Sequence, residues 1–241
     1  MTSNLESAVS PDRGIGFDVP KLTRSTLNDE VYDALKDALI QGKIAPGAIM
    51  TIRSLADSFG TSMMPVREAL RRLVAEHILV LLPNRSVTLP VFTREKFQEI
   101  TRIRFALEGL ASEEGARRIS RDEIAYMQKM TALMERNEIW GTPESLAYNR
   151  EFHFTLYKAS KMPRLVAMIE GLWLQIGPLL ILPVTEIRSR QPAAWERHHA
   201  ALEGLKSGRP AKVKQAIIGD IDDAARTIAA RLASEVSQAQ S

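Results

Sequence analysis

The sequence predicts a mainly α protein: an N-terminal winged helix-turn-helix of three helices and a two-stranded wing, followed by an all-α helical bundle. Three observations carry this. A short helical pattern (Ile52, Leu55, Ala56, Phe59) ends at Gly60, and a second opens around Pro65 with Val66, Leu70, Leu73 and Val74 inward. Two short apolar runs, Ile78 to Leu82 and Val87 to Leu89, flank the turn Pro83-Asn84-Arg85-Ser86. Beyond Phe92 every segment has helical period, and none alternates as a half-buried strand does.

The elements follow in order. Residues 1–24 mix Ser, Pro, Gly and Asp without helical period and read as a flexible arm. Ser25 or Thr26 can cap a first helix that places Val31, Leu35, Leu39 and Ile40 inward, and the run Lys43-Ile44-Ala45-Pro46-Gly47 ends it. The winged module, residues 25–92, closes near Pro90, and Thr93 caps the next helix. Helices are expected at about 93–118, 121–139, 143–159, 162–184, 190–207 and 210–235. Their short connections imply antiparallel neighbours in a bundle spanning 93–235, with a tail at 236–241.

Composition bounds the function. At 241 residues, the chain can form two domains with separate cores. It has no cysteine, which excludes disulfides and thiolate metal sites. Its first residues lack the apolar core of a secretory signal, and no apolar run nears the roughly 20 residues of a membrane span. A cytoplasmic protein without membrane contact is expected. The net charge of +3 argues little for nucleic acid, since residues 21–92 hold nine Lys/Arg against seven Asp/Glu. The case for DNA rests on where the arginines fall.

A winged helix-turn-helix sets the N-terminal end of its second helix against base edges in the major groove. Ser62, Met63, Met64 and Arg67 occupy that end. Arg67 suits direct readout, because a guanidinium bonds guanine bidentately. Arg71 and Arg72 lie one turn later and suit phosphates. Solvated surface charge is the ordinary alternative for any one of these arginines.

In the bundle, Asn149 and His153 are four apart and share a helix face, while His198 and Asp220 lie on the last two helices. Two imidazoles, a carboxylate and an amide oxygen would suit Zn²⁺, Mn²⁺ or Ni²⁺ if they converge. A hydrogen-bonded core histidine fits the same spacing. No Gly-rich phosphate loop or nucleophile triad stands out, and no Glu is an obvious base beside the histidines. Trp140, Trp173 and Trp195 are expected in core or cavity walls.

Residues 27–89 resemble the winged helix-turn-helix of the GntR family of bacterial transcription regulators, through VYDALKDALIQGKIAPGAIM, PVREALRRLVAEHIL and the wing PNRSVTL. Residues 95–232 are similar to the FCD ligand-binding domain of its FadR-type branch, through RIRFALEGLAS, NREFHFTLYKAS and the stretch His198 to Leu205. The resemblance implies DNA contacts from Arg53, Arg67 and Arg85. Such regulators usually carry Ser-Arg-Thr before the proline and Gly-Arg-Gly at the wing tip, where this chain has Ser62-Met63-Met64 and Asn84-Arg85-Ser86. One expected contact is therefore lost at Met63. It further implies a divalent metal at positions that read Asn149, His153, His198 and Asp220 here, and Arg104 facing a carboxylate effector. The expected protein is a homodimeric repressor on a palindromic operator, controlled by a small organic acid, and not an enzyme. The alternative is a helical metalloenzyme whose winged module serves assembly.

Overall fold

A computed structural model of the chain describes residues 27–41, 43–45, 47–136, 142–180 and 184–239. The expected arm (1–24), its capping Ser25 or Thr26, Trp140 and the last two residues lie outside them.

Helix α1 (Leu27–Ile40) opens on Asp29 and Glu30, whose charge suits the positive end of a helix dipole, and buries Val31, Tyr32, Leu35, Leu39 and Ile40. Strand β1 (Ile49–Met50) leads into α2 (Ile52–Phe59). Thr51 caps α2 reciprocally with Ser54: the Thr51 hydroxyl accepts from Ser54 N at 3.0 Å, and Ser54 Oγ accepts from Thr51 N at 3.3 Å. Gly60 ends α2 in the left-handed region (φ 62°), where a side chain would be strained. Helix α3 (Met63–Ala75) starts after a two-residue step and buries Pro65, Val66, Ala69, Leu70 and Leu73.

The wing is β2 (Val80–Leu81) and β3 (Val87–Thr88), antiparallel, with Val80 opposite Thr88. β1 adds itself to the other edge of β3, so the sheet has three strands in the order β1-β3-β2. The sequence suggested only two strands, because a two-residue strand is too short to show alternation.

The bundle comprises α4 (Arg94–Ala116), α5 (Arg121–Arg136), α6 (Pro143–Ala159), α7 (Pro163–Leu180), α8 (Val184–Lys206) and α9 (Pro210–Ala239). Thr93 caps α4 and Thr142 caps α6 by accepting from backbone N–H groups in their first turns. Three boundaries differ from expectation. Helix α7 ends at Leu180 rather than near 184. Helix α8 begins at Val184 rather than near 190, because TEIRSRQ carries one apolar residue and so hides its helical period. Helix α9 continues to Ala239, beyond the end expected at 235.

The described residues form two cores. One gathers the winged module around Leu35, Leu39, Val66, Leu73, Ile78 and Leu89. The other fills the bundle around Phe97, Met127, Phe152, Tyr157, Ile169, Trp173 and Ile217. Helix α7 belongs to both: Trp173 lies in the bundle core and its neighbour Leu174 in the winged core. One turn on, Gly177 lies so close to α1 that a Cβ there would be 2.9 Å from Leu39 O. Among the described residues, no helix is long and apolar enough to cross a membrane.

Candidate functional site

The surface of α3 sorts the arginines. Arg53, Arg67 and Arg85 are exposed and form no ion pair or side-chain hydrogen bond within the described residues. Arg71 pairs with Glu68 at 2.9 Å on the exposed face. Arg72, expected at a phosphate, is 54% exposed yet already engaged within the module, with Asp29 3.8 Å away. Its guanidinium lies 3.7 Å from the centre of the Tyr32 ring, and its Nε donates to Glu76 at 3.1 Å. The Tyr32 hydroxyl donates to the same carboxylate at 2.6 Å, and burial followed by that bond raises its pKa well above the ordinary value. Only tertiary contact brings these two together, since Tyr32 is 40 residues away along the chain from Arg72.

The start of α3 is polar and apolar at once. Ser62 occupies the N-cap without a side-chain cap bond, and Met63 and Met64 are 51% and 63% exposed. At the wing tip, Arg85 adopts φ 64°, a region that costs a non-glycine residue about 1–2 kcal/mol. Asn84 Oδ1 accepts from Ser86 N at 3.1 Å and from Ser86 Oγ, tying the turn beside it. The tip thus holds Arg85 outward on a braced loop.

In the bundle the four expected ligands occupy three helices: Asn149 and His153 on α6, His198 on α8 and Asp220 on α9. All four are buried. One ligand atom each from His153, His198 and Asp220 lie within 4.8 Å of one another. His153 Nε2 is 3.2 Å from Asp220 Oδ2, and His198 Nε2 is 4.0 Å from Oδ1. Two ligands bound about 2.1 Å from one tetrahedral ion sit roughly 3.3 Å apart, so the first spacing fits a shared ion and the second needs a small closure. Asn149 Oδ1 is buried without a hydrogen-bond partner among the described residues. A buried carbonyl oxygen in that state costs about 1–3 kcal/mol, and Asn149 stands one turn before His153 on α6. The donor set of imidazole nitrogens and carboxyl and amide oxygens suits a borderline divalent ion.

The surrounding residues orient the cluster. Phe152 stacks on His198 with ring centres 4.2 Å apart. His153 Nδ1 lies 3.1 Å from the Tyr157 hydroxyl, which itself donates to Glu108 at 2.6 Å. The oxygen can therefore accept from Nδ1–H, leaving the Nε2 lone pair toward Asp220 and any ion. Burial, then the Glu108 charge, pushes the Tyr157 pKa well up.

Glu108 is the residue that sequence reasoning missed. It is fully buried and accepts from Tyr157, from Trp173 Nε1 at 3.0 Å and from Arg104 Nε at 2.5 Å. A carboxylate does therefore stand behind the histidines, joined to His153 through Tyr157. Arg104 is a buried ion-pair partner of Glu108, neither exposed nor unengaged. The available signal was spacing: Arg104 and Glu108, like His153 and Tyr157, are four apart on one helix face. Of the tryptophans, Trp173 is core and Trp195 is half-buried against it.

Residues 99–223 match the FCD domain and residues 27–89 match the bacterial regulatory proteins of the gntR family. The chain is 32% identical over 189 residues to the HTH-type transcriptional regulator McbR of Escherichia coli K12, covering 78% of this chain and 86% of that protein. A probable D-xylose utilization operon transcriptional repressor of Paenarthrobacter nicotinovorans is 25% identical, covering 82% and 86%. The solved structure of E. coli McbR/YncC superimposes with a TM-score of 0.76 at 29% identity, covering 88% of this chain and all of that one. A putative GntR regulator from Rhodococcus shares the fold, with a TM-score of 0.69 at 19% identity over 85% and 98% of the two chains.

Proposed function

The chain belongs to the gntR family of bacterial regulatory proteins, with an FCD domain behind its DNA-binding module, and from that premise we propose a cytoplasmic homodimeric repressor whose hold on a palindromic operator is set by a small carboxylate at a divalent cation. Its relatives are transcription regulators, which removes the metalloenzyme alternative. The boundary between the two units is drawn at residues 92–93. Arg67 would read guanine, and Arg53, Arg71 and Arg85 would hold the backbone with Ser62. Arg71 would have to exchange Glu68 for phosphate.

Asn149, His153, His198 and Asp220 would hold Zn²⁺, Mn²⁺ or Ni²⁺, and the ion would supply a Lewis-acidic position for an effector oxygen. An effector carboxylate reaching Arg104 would have to share that guanidinium with Glu108.

The observation that carries the regulatory reading is the double membership of α7. Trp173 donates to Glu108, which touches Tyr157 and through it His153, while the adjacent Leu174 packs in the winged core. A shift at the cluster is thereby only a few contacts from α1, which packs on α3. Lys36 on α1 and Glu170 on α7 add an ion pair at 3.5 Å across the same junction. Effector binding would change operator affinity by favouring one docking of α7 on α1.

The test is titration calorimetry on metal-stripped protein with Zn²⁺, Mn²⁺ and Ni²⁺, followed by a gel-shift on upstream DNA with and without metal and candidate organic acids. Metal binding lost in His153→Ala and His198→Ala, with operator affinity altered by a metal-dependent acid, is the expected result. Unchanged metal content in both variants makes these histidines core residues.

A further inference from the structure

We propose that Met63 and Met64 read the 5-methyl group of thymine beside the base pair taken by Arg67. This rests on the DNA-binding reading of α3 and names what that helix selects. Single exposed apolar side chains are ordinary, but two adjacent methionines at the groove-facing end of a helix are a matched apolar surface. Further along α3, Pro65, Val66, Ala69, Leu70 and Leu73 are buried in the core. Met63 and Met64 are the large apolar side chains that α3 leaves exposed.

Their placement suits one ligand. Met63 is four residues and Met64 three residues before Arg67, so all three side chains share the outward face near the first turn. That face also holds Glu68, whose carboxylate is engaged by Arg71 at 2.9 Å and so does not repel phosphate strongly. Arg53 and Arg85 stand exposed on the neighbouring elements to meet the backbone. Exposed methionines beside Arg67, with exposed arginines on α2 and the wing, suit a duplex, whose base edges carry methyl groups and whose backbone is anionic. In the major groove the thymine methyl is the apolar group that a base edge presents. A thioether is flexible and polarizable, able to settle on a methyl without fixed hydrogen-bond geometry.

The test uses the full-length protein and the duplex it selects from a random-sequence pool. Each thymine of that site is replaced in turn by deoxyuridine, which removes the methyl and nothing else. At one or two thymines per half-site, next to the guanine protected by Arg67, affinity should fall about fourfold, the value of burying one methyl. Met63→Ala and Met64→Ala should lose a similar factor on the thymine duplex and tolerate deoxyuridine without further loss. Tolerance of deoxyuridine at every position by the wild-type protein overturns the proposal. So does a deoxyuridine penalty that persists in M63A/M64A, or a change of oligomeric state with base preference intact, which would make the pair a protein contact. If the wild-type protein selects no sequence, the DNA-binding reading of α3 itself fails.

Discussion

A methyl group at Gly177 tests how tightly the two units are docked. In Gly177→Ala the new Cβ would be 2.9 Å from Leu39 O and 3.2 Å from Ile40 Cα. Both are backbone atoms of α1, so no side chain can swing aside. Reaching an ordinary contact of about 3.4 Å requires α7 to retreat from α1 by roughly half an ångström, and such overpacking costs about 1–3 kcal/mol. Glycine to alanine within a helix also gains about 1 kcal/mol of propensity, which masks part of the cost. Gly171 supplies the control: it lies on the same helix, and a Cβ added there would meet no atom within 4 Å. Gly171→Ala should therefore stabilise by about 0.5–1 kcal/mol. The difference between the two variants isolates the steric effect, and urea unfolding followed by far-UV circular dichroism measures it. Gly177→Ala should be the less stable by about 1–3 kcal/mol. It should also weaken the response of operator binding to metal and effector while leaving metal affinity near wild type. Equal stability of the two variants would refute the close docking of α7 on α1, and an intact response would refute α7 as the connecting element.

Arg67→Ala should cost about 1–3 kcal/mol and relax specificity at one position per half-site in a selection assay. Arg85→Ala should weaken all sequences alike and reduce the salt slope of binding by about one, whereas Arg72→Ala should leave that slope unchanged and lower thermal stability, because its guanidinium is engaged by Tyr32, Glu76 and Asp29. Asn149→Asp should tighten divalent metal by on the order of tenfold in calorimetry, since it turns a neutral oxygen ligand into an anionic one. Metal affinity should fall as pH is lowered, because imidazole binds only when neutral; an affinity that does not change on acidification would exclude histidine ligation. Glu108→Gln should destabilise by about 3–5 kcal/mol in thermal unfolding, for it strips the buried Arg104 of its counter-charge.

Much of this protein is local, and the local part was readable. Gly60 ends α2 because it tolerates left-handed backbone, and Pro65 fits the first turn of α3 because it needs no N–H partner there. Thr93 and Thr142 cap their helices through bonds only three residues long. His153 and Asn149 share a face by helical period alone. Such features depend on neighbours along the chain, and the sequence carries them whole.

Contacts across the chain were decided by packing. Nothing in the period of α1 says that the Arg72 guanidinium would lie over the Tyr32 ring, or that Thr88 of β3 would pair with both Ile49 and Val80. Glu108 could be matched to Arg104 by spacing, yet its bonds to Tyr157 and Trp173 span 49 and 65 residues. Helix α8 formed through a polar stretch where hydrophobic period is silent. Side-chain pattern records which face of an element is apolar, while which element covers that face depends on the fit of whole surfaces. The family, most of the helices and the candidate ligand residues therefore belong to the sequence by itself. The convergence of His153, His198 and Asp220, the engagement of Arg104 and the sharing of α7 between two cores belong to the tertiary structure, because only close packing brings distant segments within reach of a hydrogen bond.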